Sequence, residues 1–122
     1  MEKFKAAMEL RHAAERGGVV SVLALCGPNP RVRLTMAKSL WDSDIDQLNL
    51  SVRSSNGLRR AGLDTVGKVS ELAMSEKGLD AVRNLGKKSI REIKTALLVL
   101  GYEGLDSNGQ LTFWQTFIER NF

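Results

Sequence analysis

Apolar residues along this chain recur mostly at helical spacing, and the pattern sharpens from the middle onward. Ile90, Ile93, Leu97 and Leu100 follow one another at intervals of three, four and three, which is one face of a 3.6-residue helix. That helix is predicted from Lys87 to about Leu100, with Gly101 ending it. Another is predicted over Thr65 to Met74, with Val66, Val69 and Leu72 inward and Asp64 as its N-cap. A short helix is predicted from about Val52 to Ala61, and Ser75 is expected to cap one more that carries Leu79 and Val82. Upstream, Glu2 to Arg16 reads as a helix closed by Gly17-Gly18, with Phe4, Ala7, Met8 and Leu10 or Arg11 along one flank. Val19 to Cys26 fits a strand or a short buried helix, and Gly27-Pro28-Asn29-Pro30 is the strongest breaker in the sequence. Arg31 to Trp41 is predicted helical, with Leu34, Ala37, Leu40 and Trp41 inward. In the tail, a flexible Asp106-Ser107-Asn108-Gly109 precedes an amphipathic helix carrying Leu111, Trp114, Phe117, Ile118 and Phe122. That stripe is expected to dock on the protein's own core, a partner-binding or dimer-forming helix being the alternative.

These elements predict an all-α fold: a compact bundle of short helices with helix-hairpin-helix-like turns, a mostly helical N-terminal extension and a C-terminal amphipathic helix. The expected divisions are 1–43 for the extension, 44–101 for the helical domain and 102–122 for the tail.

Composition narrows the function classes. The chain has 122 residues, 43% hydrophobic and 26% charged, as expected of one soluble domain or a small domain with an extension. Its net charge of +4 is modest, but between Ser51 and Gly101 ten Lys/Arg face five acids, so the positive charge is concentrated there. Such a segment suits a polyanionic partner, although a solvated helical face has the same composition. Cys26 is the single cysteine, which rules out an intrachain disulfide and is expected to be a small buried hydrophobe in a reducing compartment. His12 is also single and is expected on an exposed helix face, so no metal or cofactor is called for. The run Val19 to Cys26 is too short to span a bilayer and lacks the form of a signal peptide, pointing to a soluble cytoplasmic protein. No carboxylate cluster of metal spacing, histidine pair or nucleophile elbow is present, so the expectation is a binding protein and not an enzyme.

The chemistry concentrates in Asn84-Leu85-Gly86-Lys87-Lys88-Ser89-Ile90. Two lysines open a helix whose first N–H groups already carry about half a positive charge, an arrangement that costs a few tenths of a kcal/mol per lysine unless an anion is present. A backbone phosphate supplies that anion, with the N–H groups and Ser89 as further donors. A weak repeat adds to this: Leu63-Asp64-Thr65-Val66-Gly67-Lys68 and Val82-Arg83-Asn84-Leu85-Gly86-Lys87 share the order apolar, polar, polar, apolar, Gly, Lys. Asn84 tolerates the left-handed backbone such a hairpin can require. The second copy has the form of a helix-hairpin-helix DNA-binding turn. The first has Val69 where the second has Lys88, and is expected to be structural.

Ile45-Asp46-Gln47-Leu48-Asn49-Leu50-Ser51-Val52-Arg53-Ser54-Ser55-Asn56-Gly57-Leu58 and Asn84-Leu85-Gly86-Lys87-Lys88-Ser89-Ile90-Arg91-Glu92-Ile93-Lys94, with the glycine of Val66-Gly67, together resemble the C-terminal domain of the bacterial RNA polymerase α subunit. The resemblance spans about Asp44 to Gly101. It implies a compact helical domain that docks on the minor groove of A·T-rich double-stranded DNA upstream of promoters. Arg53 matches the arginine that enters the groove, Asn56 and Gly57 match positions contacting the backbone nearby, and Gly86, Lys88 and Ser89 match the helix start that holds phosphate. Lys87 adds a second cation there. Glu92 matches an acid that supports the arginine; read as a residue alone, an exposed acid paired with Lys88 is the alternative. The chemistry agrees, because a narrow A·T groove has deepened negative potential and favours guanidinium over a strongly hydrated ammonium.

Departures from the family pattern matter as well. The positions matching the family's acidic patch, which meets σ factor, are Asp46, Gln47 and Asn49, so most of that charge is gone. Residues 1–43 are too short for the α subunit's assembly domain, so a complete protein of this length is not expected to nucleate polymerase. Two alternatives stand beside the DNA-docking reading. One is a protein-interaction module that mimics the domain to engage RNA polymerase, σ factor or activators. The other is a helix-hairpin-helix accessory domain of a repair or recombination system, binding phosphates without sequence preference.

Overall fold

The structure, a computed structural model, describes residues 2–25, 32 and 34–121. The described residues form an all-α fold: α1 (Glu2–Gly17), α2 (Val19–Leu25), α3 (Val52–Arg60), α4 (Val66–Ala73), α5 (Lys87–Glu103) and α6 (Ser107–Asn121). Three single 3₁₀ turns, Lys38–Leu40, Ile45–Leu48 and Gly78–Ala81, lie between them. Two compact units emerge: Leu34–Gly101 makes one, and α1, α2, Tyr102 and α6 belong to the other.

In the first unit, Ile45, Leu48, Leu58, Val66, Val69, Leu79, Ile93 and Leu97 form the buried core. Spacings of three or four residues recur within this set, so burial of the stripe, rather than intrinsic propensity, fixes helices as short as α3 and α4. Capping sets their starts. Ser51 accepts from Ser54 N at the head of α3, and Thr65 accepts from Lys68 N at the head of α4. Thr65 thereby takes the N-cap role expected of Asp64, whose carboxylate instead reaches Lys68 Nζ at 3.0 Å. The turn Gly78–Ala81 carries Leu79 into the core, with Lys77 at its N-cap position and Ser75 serving its first N–H from two residues further upstream. Ser75 Oγ closes the end of α4 by bonding Leu72 O at 2.6 Å and accepts from Gly78 N.

The expected helix ending at Trp41 is absent over the described positions: residues 34–37 carry no helix, Ala37 is extended, and only Lys38–Leu40 turns. Leu34 and Met36, two residues apart, both pack on the core, which is an extended rather than a helical period. Trp41 to Ile45 then runs antiparallel to Asp64 to Gly67, joined by Ile45 N to Asp64 O, Val66 N to Ser43 O and Gly67 N to Trp41 O. Gly101 does not end α5, which continues to Glu103. A Cβ at Gly101 would collide with the carbonyl oxygen of Thr35, so this glycine serves close approach of the extended segment.

In the second unit, Ala7 and Ala14 of α1 and Val19, Val22 and Leu23 of α2 are buried, and the ambiguous stretch after Gly18 resolves as helix. Phe113, Trp114 and Phe117 of α6 are buried with Tyr102 in successive edge-to-face contacts, and Trp114 Nε1 donates to Tyr102 Oη at 2.8 Å. Asp106 to Gly109 is no flexible linker: Asp106 Oδ1 accepts from Gly109 N at 2.7 Å and begins α6. Helices α1 and α6 are packed together, and Arg11 reaches Ser107 Oγ at 3.0 Å. His12 is exposed, 3.6 Å from Glu15. Cys26, the Gly27–Pro30 breaker and Phe122 lie outside the described residues. No helix among the described residues is long and apolar enough to cross a membrane.

Candidate nucleic-acid interface

The candidate surface is built from the start of α3 and the hairpin that opens α5. At Gly57, a Cβ would come within 2.8 Å of Leu85 Cδ2. The bare backbone at Gly57 therefore lets the hairpin of Asn84 to Lys87 lie against α3, and Gly57 acts here as a packing residue. Asn84 adopts a left-handed backbone with φ of 66°, the conformation its residue type tolerates. Leu85 turns inward against the core while Gly86 stays exposed.

Gly86 immediately precedes α5, and its carbonyl accepts from Ile90 N at 3.0 Å. It lacks the left-handed φ that would demand glycine, and a Cβ built there meets nothing within 4 Å. Nothing in the described structure therefore requires a glycine at this position. Lys87 and Lys88 are exposed and Ser89 is half-buried at the start of α5. Ser51, Thr65 and Asp106 cap α3, α4 and α6, whereas no side group caps the first N–H groups of α5 among the described residues. Open donors, two cations and a bare backbone thus share one helix start.

The first copy of the repeat is the opposite case. Gly67 is buried, its N–H donates to Trp41 O at 2.8 Å, and a Cβ there would overlap the Trp41 indole. Protein covers Gly67, whereas solvent faces Gly86. The difference between the copies expected from Val69 against Lys88 is therefore visible in the glycines themselves.

On α3, Arg53 and Asn56 are exposed, and Arg53 forms no ion pair among the described residues. Glu92, on α5, lies beside the root of that helix. Its Oε2 accepts from Ser51 N at 2.7 Å, and its Oε1 accepts from the hydroxyls of Ser51, at 2.8 Å, and Ser54. These donors, the Ser54 hydroxyl foremost and then the Ser51 N–H, hold the carboxyl below its usual range. The expected alternative, a surface acid paired with Lys88, is not what the carboxylate does. Ser51 and Ser54 were not among the residues singled out from sequence. Their only local signal is a serine at an N-cap, and their partner lies 41 and 38 residues away.

A second polar cluster lies at the end of α3. Arg59 bonds Asp44 at 2.7 Å and Asp46 at 3.1 Å, and the Arg59 guanidinium lowers the Asp44 pKa from 3.8 to about 2. One guanidinium thus faces two carboxylates, which halves the negative charge of this cluster and leaves one unit of it.

The family model for the C-terminal domain of the alpha subunit of bacterial RNA polymerase matches residues 35–98, more than half of this protein. Among curated proteins, it is similar to the DNA-directed RNA polymerase subunit alpha of Roseiflexus sp. (strain RS-1), at 45% identity over 69 residues, 57% of this chain and 21% of that protein. The subunit of the same name from Moorella thermoacetica is 50% identical over 62 residues, 51% of this chain and 19% of that protein. That of Acidothermus cellulolyticus is 49% identical over 63 residues, 52% and 18%. The match thus spans about a fifth of the length of these relatives. No solved structure matches.

Proposed function

We propose, for a protein that belongs to the family of the C-terminal domain of the bacterial RNA polymerase α subunit and so carries a DNA-binding, transcription-related domain, that residues 34–101 dock on the minor groove of A·T-rich duplex DNA. In this reading Arg53 enters the groove, Asn56 and the backbone near Gly57 contact the adjoining strand, and the N–H groups of Gly86 to Ser89, with Lys87 and Lys88, hold a phosphate. Glu92 supports the arm that carries Arg53. The observation that carries the reading is Gly86: an open, uncapped helix start, glycine without an internal need for glycine, next to two lysines. A phosphate oxygen can approach the backbone there as closely as hydrogen bonding requires.

A guanidinium suits the deepened potential of a narrow A·T groove, and the groove's degenerate edge pattern limits discrimination to A·T against G·C. Arg59 pairs with both Asp44 and Asp46, so the surface beside α3 keeps one net negative charge from that cluster, less than two unpaired carboxylates would offer a basic partner such as σ factor. This favours DNA docking over mimicry of the domain for protein partners. Association with polymerase or activators belongs to the same proposal, as the activity of whole subunits of which this protein matches only a part.

The test is a shift or anisotropy titration with A·T-rich and G·C-rich duplexes. Wild type is expected to prefer A·T, and Arg53→Ala to lose about 1 kcal/mol or more of affinity for it, about fivefold or greater. Equal binding of the two duplexes would favour the non-sequence-specific accessory domain, and equal binding by Arg53→Ala would remove the arginine from the mechanism.

A further inference from the structure

The first turn of α3 is held from outside its own helix. Ser51 presents its backbone N–H and its hydroxyl to the two oxygens of Glu92, at 2.7 and 2.8 Å, and Ser54 donates its hydroxyl to the same carboxylate. Ser51 Oγ also accepts from Ser54 N at 3.3 Å, closing the N-cap. Ser54 is fully buried, although it stands next to the exposed Arg53. Arg53 thus lies between two residues that are both tied to α5, while its own guanidinium carries no ion pair among the described residues.

This arrangement has a mechanical consequence. A salt bridge from Glu92 to the guanidinium would have to break before the head group entered a groove. A grip on the turn restricts only the root of the side chain and leaves the head free to bind. A long arginine loses rotamer freedom when fixed, so a root already aimed outward reduces what docking must order. The carboxylate is suited to the task because it only accepts, and every group it faces in the turn donates. It also sits at the positive end of the α3 dipole, which stabilises an acid on a face that meets phosphates.

We infer that Ser51 and Ser54 are positioning residues for DNA recognition: with Glu92 they fix the turn from which Arg53 projects, and they act through Arg53 rather than on DNA. This rests on the reading of α3 and the α5 start as the DNA-binding face.

A double-mutant cycle tests it, with duplex affinity measured for wild type, Ser54→Ala, Arg53→Ala and the double variant, and folding checked by thermal melting. Ser54→Ala is expected to weaken A·T-rich binding about three- to tenfold in the wild-type background and less than about twofold once Arg53 is gone. The preference for A·T over G·C should shrink in parallel, and the salt slope should stay unchanged because no phosphate contact is lost. Ser51→Ala, at an exposed cap, carries the same cycle if Ser54→Ala melts too low, and Ser51→Thr, which keeps the hydroxyl, should restore wild-type affinity. Equal losses in the two backgrounds, or a reduced salt slope, overturn the positioning role while leaving the DNA-binding face intact. A wild type without A·T preference, or an Arg53→Ala variant that binds normally, overturns the face itself and the inference with it.

Discussion

At Gly86 a methyl group built on the backbone meets nothing within 4 Å, whereas at Gly67 it overlaps the indole of Trp41. The same substitution at equivalent positions of one repeat should therefore have opposite effects. In Gly86→Ala, alanine is a poorer N-cap than glycine by up to about 1 kcal/mol. The restricted unfolded state returns about 0.4–1 kcal/mol. Net stability should change by no more than about 0.5 kcal/mol, or about 2–4 °C in Tm. Binding should suffer, because the methyl stands where a phosphate oxygen must approach. Loss of one charge-assisted bond is worth about 1.5–3 kcal/mol, a drop in affinity of about tenfold or more. In Gly67→Ala, three indole atoms of Trp41 stand well inside contact distance, so overpacking costs about 2–3 kcal/mol against about 1 kcal/mol of gained helix propensity. The Trp41 backbone is held against Gly67 by its carbonyl's bond to Gly67 N, so relief must come from turning the indole out of its packed position. Stability should fall by about 1–2 kcal/mol, with DNA affinity of the folded protein retained. Urea unfolding and duplex titration on both variants decide the matter. Normal DNA binding by Gly86→Ala, or an undisturbed Gly67→Ala, refutes the reasoning.

Other expectations follow from the same geometry. Lys88→Ala should lower the slope of log affinity against log salt by about one while keeping the A·T preference, measured by titration at several salt concentrations. Gly101→Ala should lower Tm more than Gly86→Ala, because its Cβ meets the Thr35 carbonyl, a backbone group that cannot rotate away. Ser70→Ala should be neutral to stabilising by up to about 2 kcal/mol, since its buried hydroxyl has no partner among the described residues; a lower urea midpoint would contradict this. Asp44 has a folded pKa of about 2 against an ordinary 3.8, so its contribution is complete above pH 4 and declines as pH falls towards 2. Arg59→Ala should return the Asp44 midpoint towards the ordinary range in an NMR titration.

What was legible in the sequence is what depends on near neighbours. The α5 stripe, the left-handed Asn84, the bare Gly86 and the structural character of the first hairpin all follow from residues within a few positions of one another. Gly101 shows the limit: a glycine after an apolar stripe signals a helix end, but a distant carbonyl, that of Thr35, claimed it for close approach instead. Asp106 to Gly109 shares its composition with a loop and with a capped helix start, and the aromatic residues that follow made it the latter. The Ser51–Ser54–Glu92 cluster was out of reach because serine at a cap is common and the carboxylate that completes it is on another helix. Pairing of Asp44 and Asp46 with Arg59 has the same cause, a partner brought near only by the fold.

Backbone amide shift mapping of the labelled protein with an A·T-rich duplex tests the central claim most directly. Perturbations should concentrate at Arg53 to Gly57 and at Gly86 to Ser89, spare Gly67, and weaken sharply with a G·C-rich duplex or with Arg53→Ala. Perturbations centred on Gly67 or on Asp44 and Asp46, or an equal response to both duplexes, would contradict it.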